Sequence, residues 1–148
     1  MNYETRITRL DLGHDARVLF FIADNVCHRR QAHADGVFAR GHLLAQGEMP
    51  LTLATQDMNA DHHMDLLVAT GKQDNLIFFR GKGNGTFHSP LYFSGGGGPL
   101  DLTINHFDQD DLLDVAVANS RSSSFSIIYQ SSKGGFYYPS LDYVVDGG

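Results

Sequence analysis

Residues that can offer a side-chain or backbone oxygen to a metal ion recur at alternate positions in one stretch of this chain. Positions one, three, five, seven and nine of that stretch are held by Asp57, Asn59, Asp61, His63 and Asp65. Calcium takes about six to eight oxygen ligands, and alternate carboxylates on a tightly turned loop can converge on one point while a backbone carbonyl, here that of His63, fills a further position. The spacing therefore predicts a calcium site. The alternative is that the aspartates only form Asx turns in a solvated loop.

A later stretch repeats this pattern with one change. Its oxygen donors would be Asp108, Asp110, Asp114 and the carbonyl of Leu112. His106 stands at position one, where an oxygen ligand is expected. We predict a second calcium site here, with lower affinity than the first or with a water completing the shell.

An earlier stretch keeps only part of the pattern. It retains Asp11 and Asp15, while Arg17 adds a positive charge beside the position that an ion would take. Because a cation needs several anionic or carbonyl oxygens around it, we expect this loop to hold none.

The three stretches belong to an internal repeat. Phe38, Phe87 and Phe136 recur with a period of 49 residues, and each follows a turn such as Gly83-Asn-Gly-Thr. The central loop aspartates at positions 15, 61 and 110 keep nearly the same spacing. Two independent markers with one period indicate a repeat architecture, and we divide the chain into units 1–49, 50–98 and 99–148.

Each repeat reads as four short strands joined by Gly, Asn and Ser turns. The predicted strands are 51–55, 65–70, 75–80 and 86–93 in the second unit, and 100–105, 114–119, 125–130 and 136–143 in the third. Four such strands make an antiparallel meander. The second strand of each unit is apolar at consecutive positions, which indicates burial on both faces, as in a sheet stacked between two others. A β-propeller blade has that environment, whereas an ordinary β-sandwich is the alternative.

These motifs resemble a known family. The acidic loop running into Asp65-Leu-Leu-Val-Ala, followed by Gly83-Asn-Gly-Thr-Phe, is similar to the FG-GAP or VCBS repeat of integrin α-subunit propellers. The resemblance is weaker in the first repeat, where Gly13 and Leu19 stand at expected ligand positions. It implies an all-β array of three four-stranded antiparallel propeller-type blades, calcium in the blade loops, and a role in adhesion or ligand binding outside the cell. Such blades usually close in a ring of seven, so three are incomplete as a single ring.

Composition limits the classes of partner that we expect the chain to bind. The chain has 148 residues, 42% of them hydrophobic, and 17 acidic against 11 basic side chains give a net charge of −6. A nucleic acid would be repelled by this charge. No apolar run approaches the ~20 residues of a membrane span, and the first ten residues lack the apolar segment of a signal peptide.

Function remains open between three classes. Neither Gly-x-Ser-x-Gly nor His-Glu-x-x-His occurs, so we expect a binding module and no enzyme. The alternatives are a carbohydrate-active propeller enzyme, lyase or hydrolase, and a structural subunit of a fibre or surface layer. Five tyrosines suit recognition of a protein or carbohydrate ligand, although we expect most of them to pack between blades; they are Tyr92, Tyr129, Tyr137, Tyr138 and Tyr143.

The two-faced strands also predict association. An array of blades that are apolar on both faces leaves one face bare at either end, and exposed apolar area costs about 25 cal/mol for each Å². We therefore expect copies of the chain to associate, or the chain to continue covalently into further blades.

Overall fold

A computed structural model describes residues 49–132, 135–137 and 141–145, together with the backbone of four strands between residues 7 and 43. Those four strands form one antiparallel sheet, blade 1, in the order β1-β2-β3-β4. Its members are β1 (Ile7–Asp11), β2 (Arg17–Ala23), β3 (Val26–Ala32) and β4 (His42–Leu43).

Two further four-stranded antiparallel sheets follow. Blade 2 has the order β5-β6-β7-β8 and consists of β5 (Pro50–Gln56), β6 (Asp65–Thr70), β7 (Asn75–Phe79) and β8 (Leu91–Ser94). The strands that follow in the chain are β9 (Pro99–Asn105), β10 (Asp114–Asn119), β11 (Ser124–Ile128), β12 (Gln130–Ser131), β13 (Gly135–Phe136) and β14 (Leu141–Val144). Blade 3 has the order β9-β10-β11-β14, and β12 pairs with β13 in a small hairpin beside it.

The all-β prediction is confirmed. The described residues contain no helix, and the three large sheets are antiparallel, four-stranded and not closed into a barrel. Each sheet forms because short apolar runs are separated by turns that cannot continue a strand.

The fourth strands of the second and third units are shorter than predicted. In blade 2 the predicted strand 86–93 is reduced to β8, and Phe87 makes only an isolated bridge with Gly81. The reason is the turn that precedes it. Gly83 and Gly85 have φ values of 72° and 74°, a left-handed conformation that breaks a strand, and Asn84 Oδ1 accepts hydrogen bonds from the backbone N–H and the hydroxyl of Thr86.

The third unit deviates in a similar way. The predicted strand 136–143 is divided between β13 and β14. Phe136 pairs with Gln130 in the small hairpin, so its ring is directed to blade 2, where it lies 5.6 Å from the ring of Phe78 and 4.6 Å from that of Phe93.

Blade 2 is buried on both faces, as its sequence predicts. Every residue of β6 is buried, and burial on both faces is the environment of a sheet between two others. The face toward blade 3 forms a shared core, in which Phe93, Leu102, Ile104, Leu113 and Phe136 pack around a buried cluster. That cluster comprises Met58, Leu67, Ala69, Leu76, Phe78, Val115, Val117 and Ile128.

Blade 3 departs from the two-faced prediction. Val115 and Val117 are buried in the shared core, but Ala116 is half-buried and Ala118 is exposed. Alternate residues of a strand point to opposite faces, so the face toward blade 2 is the more completely covered; on the other face Ile127, which pairs with Ala116, is buried but Ala118 is not.

Close backbone contacts join the turn after β8 to the turn after β10. Ser120 donates its backbone N–H to the carbonyl of Gly98 at 2.8 Å. A Cβ added at Gly96 would lie 2.3 Å from the Asn119 side chain, so glycine permits this approach. Arg121 pairs with Asp74 beside this contact. These interactions hold blades 2 and 3 together at one end.

Candidate metal centre

The acidic stretches are the connections between the first and second strands of their blades. Residues 57–64 join β5 to β6, and residues 106–113 join β9 to β10. The corresponding connection of blade 1 is shorter, since β1 ends at Asp11 and β2 begins at Arg17. Leu19, expected at the last ligand position, lies inside β2, while Gly13 and Asp15 lie outside the described residues.

The third loop brings three of its predicted ligands together. One carboxylate oxygen from each of Asp108, Asp110 and Asp114 lies within 4.8 Å of the other two. Asp108 and Asp110 are exposed, whereas Asp114 is fully buried. Oxygen-only donors of this kind suit hard cations, so the geometry fits the predicted class of ion.

Backbone hydrogen bonds hold these carboxylates in place. Asp108 Oδ1 accepts from the N–H of Asp110 at 2.9 Å, and Asp110 Oδ1 accepts from the N–H of Leu112 at 2.9 Å. These are the Asx-type contacts of the alternative interpretation. A carboxylate has about four lone-pair sites, so such contacts leave oxygens available to an ion and the two interpretations are compatible.

His106 acts inside the third loop. Its ring Nδ1 lies 2.7 Å from the carbonyl oxygen of Leu112, the predicted backbone ligand, and makes a hydrogen bond with it. A carbonyl oxygen has two lone pairs, so one remains for a cation. His106 therefore stands at a position where the sequence pattern expects a ligand, and in the structure it orients the carbonyl of Leu112, which is itself a predicted ligand.

The second loop is arranged differently, although its ligand pattern is the more complete. Asp57 Oδ1 accepts from the N–H of Asp61 at 3.2 Å, and its Oδ2 accepts from the N–H of His62 at 2.8 Å. Asn59 donates its side-chain N–H to Asp61 Oδ2 at 3.0 Å. Within the described residues, Asp57, Asp61 and Asp65 do not form a carboxylate cluster like that of the third loop.

The backbones of the two loops also differ. Ala60 and His62 have φ values of 56° and 65°, a left-handed conformation uncommon for residues with a Cβ. Residues 106–113, all of them described, include no positive φ. Carboxylates accept backbone N–H bonds in both loops, but only in the third do three of them also lie close together.

Local hydrogen bonds set the protonation of Asp61. Desolvation raises its pKa, but the backbone N–H of His63 and the side chain of Asn59 donate to the carboxylate, and the nearby imidazoles of His63 and His62 add to their effect. The net result is a lowered pKa. The Nδ1 atom of the His63 ring lies 3.5 Å from Asp61 Oδ1.

Asp65 is a buried link between the loop and the sheet. Its Oδ2 accepts from the N–H of Met58 at 3.1 Å, and its Oδ1 accepts from the N–H of Gly81 at 2.7 Å. Desolvation raises the pKa of Asp65, and the charges of Asp61 and Asp57 add to this, whereas the two N–H donors lower it. The balance is a raised pKa.

Asp114 repeats this link in blade 3. Its Oδ2 accepts from the N–H of Phe107 at 3.0 Å, and its Oδ1 accepts from the N–H of Gln130 at 2.9 Å. Donor and acceptor are 7 and 16 residues apart in both blades. The sequence predicts a metal ligand at this position but not its second role, because the partner sixteen residues later comes near only when the third strand has folded back.

Gln130 is a functional candidate that the motif does not reveal. Its side-chain N–H donates to the carbonyl of Met58 at 2.7 Å and so connects blade 3 to the acidic loop of blade 2. Its Oε1 is buried and has no hydrogen-bond partner among the residues that the structure describes. Gln130 also lines a cleft of about 340 Å³ between the two loops, to which Asp57, Asn59 and His106 contribute.

Glycine permits the close approach that the Asp65 link requires. A Cβ at Gly81 would lie 2.2 Å from the backbone oxygen of Met64, a distance that real Cβ atoms do not show. The third strand of blade 2 can therefore meet its own acidic loop only with glycine at this position.

The tyrosines are mostly surface residues, contrary to the expected packing between blades. Tyr92, Tyr137 and Tyr143 are 57%, 59% and 43% exposed, and Tyr129 is half-buried. Tyr138 lies outside the described residues. An exposed ring cannot fill an interface within the chain.

One comparison with known protein families finds a match to part of the chain. No curated protein matches the chain, but residues 57–117 match a family model described as an FG-GAP-like repeat. Repeats of this family are typically extracellular. Among the described residues there is no helix of the length and apolarity that crossing a membrane requires. The match begins at Asp57 and ends in β10, so it takes in both acidic loops and shows that this part of the chain is similar to that repeat.

Proposed function

We propose that this chain is a non-catalytic, calcium-binding repeat module that serves adhesion, ligand binding or structural assembly outside the cell. The observation that carries the proposal is the convergence of Asp108, Asp110 and Asp114 on one point of an FG-GAP-type repeat. Calcium is favoured because its shell accepts carboxylate and carbonyl oxygens in flexible geometry.

The bound ion would act on the connection between β9 and β10. Two exposed carboxylates and a buried one repel each other at this distance, and a divalent cation removes that repulsion while binding all three. Asp114 is fixed to the core by two N–H donors, so the ion would fasten Asp108 and Asp110 to an anchored residue. The loop would then present a rigid surface to a ligand.

The geometry favours the third loop over the second, the reverse of the order expected from ligand counts. In the second loop an ion would have to displace the hydrogen bond from the Asn59 side chain to Asp61 before Asp57, Asn59, Asp61 and Asp65 and the His63 carbonyl could converge. In the third loop, the hydrogen bonds to the cluster from the described residues come from backbone N–H groups, and the three carboxylates already lie together. We therefore expect the third loop to bind first and the second loop to follow at higher calcium.

The non-catalytic part of the proposal rests on how the carboxylates are used. Those of the two loops accept backbone N–H bonds or form the candidate ion site, and a general base would need one aimed at a substrate. The loops thus supply rigidity and charge to a binding surface.

Calcium titration of the purified chain tests the proposal, by calorimetry and by thermal unfolding with and without a chelator. At about a hundred times its Kd, an ion that binds only the native state stabilises it by roughly 2.7 kcal/mol. Asp110→Asn should weaken binding at least about tenfold, because a charged ligand of a hard cation is lost. The matched control is Asp111→Asn, which removes the same charge from the next, exposed residue, outside the cluster.

Two results would contradict the proposal. One is the absence of both binding heat and a calcium-dependent shift in melting temperature. The other is an equal effect of Asp110→Asn and Asp111→Asn, which would reduce the loop to a diffuse patch of negative charge.

A further inference from the structure

The turn between β7 and β8 carries a sequence motif that the acidic loops do not explain. Asn84, Gly85 and Thr86 match the pattern Asn-x-Ser/Thr, in which x is any residue except proline, and the pattern occurs nowhere else in the 148 residues. An asparagine in this pattern can accept an N-linked oligosaccharide when it lies in a surface loop of a secreted protein. The surroundings of the Asn84 amide therefore decide what the motif can do.

The motif lies at the surface, at the tip of its turn. Asn84 and Thr86 are both exposed. The backbone N–H of Lys82 donates to the carbonyl of Thr86 at 3.0 Å and closes the turn. Asn84 is the middle one of the three residues between these partners, so its side chain stands where an enzyme can approach it.

Hydrogen bonds fix which end of the Asn84 amide faces the turn. Its Oδ1 accepts from the backbone N–H of Thr86 at 3.0 Å and from the Thr86 hydroxyl at 2.6 Å. A backbone N–H only donates, so the amide oxygen and not the nitrogen must face it. The nitrogen, Nδ2, therefore points away from Thr86, and it makes no hydrogen bond to the residues that the structure describes.

This arrangement leaves room for a substituent on Nδ2. A sugar attached there replaces one N–H of the amide, while the oxygen that accepts both bonds from Thr86 is unchanged. Asn119 is the opposite case, because it is buried and its Nδ2 donates to the hydroxyl of Ser126 at 2.6 Å. A glycan is thus compatible with the turn at Asn84, whereas at Asn119 it would disrupt the sheet.

The turn also packs beside the second acidic loop. A Cβ added at Gly83 would lie 2.5 Å from the His63 ring, and the N–H of Gly81 donates to Asp65. A glycan on Asn84 would therefore project from the surface next to that loop, while the third loop belongs to the neighbouring blade.

We propose that Asn84 is an N-glycosylation acceptor. The inference rests on the location outside the cell proposed above. The donor is an oligosaccharide carried on a lipid pyrophosphate, and the reaction is a substitution at C1 of its first sugar. The bond from Nδ2 to C1 forms, the bond from C1 to the pyrophosphate oxygen breaks, and the lipid pyrophosphate leaves. The proton lost from Nδ2 passes to a base of the transferase.

Cell-free translation of the full chain, with a signal peptide added and eukaryotic microsomes present, tests the acceptor. The wild-type chain should gain mass on a gel, and an amidase that cleaves N-linked glycans should reverse the gain. Asn84→Asp should abolish it, because the carboxylate can still accept both bonds from Thr86 but has no amide nitrogen. Thr86→Val, which removes the hydroxyl of the motif, should abolish it too. The matched control is Asn105→Asp, an exposed asparagine outside the motif, which should be modified like the wild type.

Thermal unfolding tests whether the glycan fits the folded turn. The amidase leaves an aspartate at position 84, which keeps the acceptor oxygens of the turn. The glycosylated chain and the same chain after amidase treatment should therefore have equal unfolding midpoints in chelator. A clearly lower midpoint for the glycosylated chain would show that Nδ2 faces the protein and not the solvent, and the proposed geometry would be wrong.

Two results in the microsomes would overturn the proposal. One is a wild-type chain that is protected from added protease but carries no glycan, because protection shows that the chain reached the compartment of the transferase. The other is a glycan that persists in Asn84→Asp. A failure of calcium binding can be told apart from both, since Asp110→Asn alters the calcium titration and should be glycosylated like the wild type.

Discussion

Replacing Asp65 with asparagine separates the structural role of this residue from ion binding. Both carboxylate oxygens of Asp65 accept backbone N–H bonds, from Met58 and Gly81. An asparagine keeps one acceptor oxygen, but its amide nitrogen must face the other N–H group. One buried N–H then loses its partner.

The expected loss follows from that geometry. A buried donor left without an acceptor costs about 1–3 kcal/mol. Asparagine also relieves the desolvation that raises the pKa of Asp65, so the net effect of Asp65→Asn should fall in the lower part of that range. Asp65→Ala removes both acceptors and should cost more than Asp65→Asn.

Denaturant unfolding in chelator measures the effect, because no ion then contributes. For a chain of this size each kcal/mol corresponds to roughly 2–4 °C in melting temperature. Asp61→Asn is the control: Asp61 is exposed and lies in the same loop, and its substitution should stay within about 0.5 kcal/mol. If Asp65→Asn equals the wild type in chelator, or equals Asp61→Asn, the link between loop and sheet contributes nothing and the reasoning is wrong.

Three further outcomes are expected. Gln130→Leu should destabilise by about 1–2 kcal/mol in urea, because the Met58 carbonyl loses its partner across the blades; an unchanged midpoint would argue against that contact. Gly81→Ala should cost about 3 kcal/mol or more, since its Cβ would lie 2.2 Å from a backbone oxygen, whereas Gly135→Ala, with nothing within 4 Å, should be near neutral by thermal melting. The pKa of Asp65 is higher in the native state than its unfolded value of 3.8, so its contribution to stability is complete below 3.8 and is lost as pH rises through the native pKa. The stability advantage of the wild type over Asp65→Asn in chelator should therefore shrink as pH rises from about 4. An advantage that grew with pH would mean that the native pKa is lowered.

The sheets could be predicted from the sequence because their signal is local. Apolar runs of strand length, repeated with one period and separated by turn residues, determine β6 and β10 to the residue. The fourth strands could not be placed as well, since Gly83 and Gly85 shape a turn whose extent depends on its contacts with the acidic loop. Those contacts are not visible in a local pattern.

In the candidate site, too, the local pattern predicts the position of the loops but not the contacts within them. Ligand spacing identifies both loops, but it ranks the second above the third by counting oxygens. The structure reverses the order of convergence, because Asn59 brings a donor as well as an acceptor and directs its N–H to Asp61. At the corresponding position Asp108 has only acceptors and directs one to a backbone N–H. An amide and a carboxylate count alike in a ligand pattern and behave differently in a loop.

The last position of the loop explains how neighbouring blades can differ in their acidic loops and keep one fold. Asp65 and Asp114 accept equivalent pairs of N–H bonds at equivalent separations, although only the third loop gathers three carboxylates. The anchor therefore forms without the rest of the ligand set. Asp61, Asp108 and Asp110 are exposed, so substitutions there should have little effect on blade packing. A substitution at position nine should disturb the link between loop and sheet. If the proposed calcium sites exist, their affinity can therefore vary from blade to blade on a common scaffold, and position nine is where ion binding would be coupled to stability.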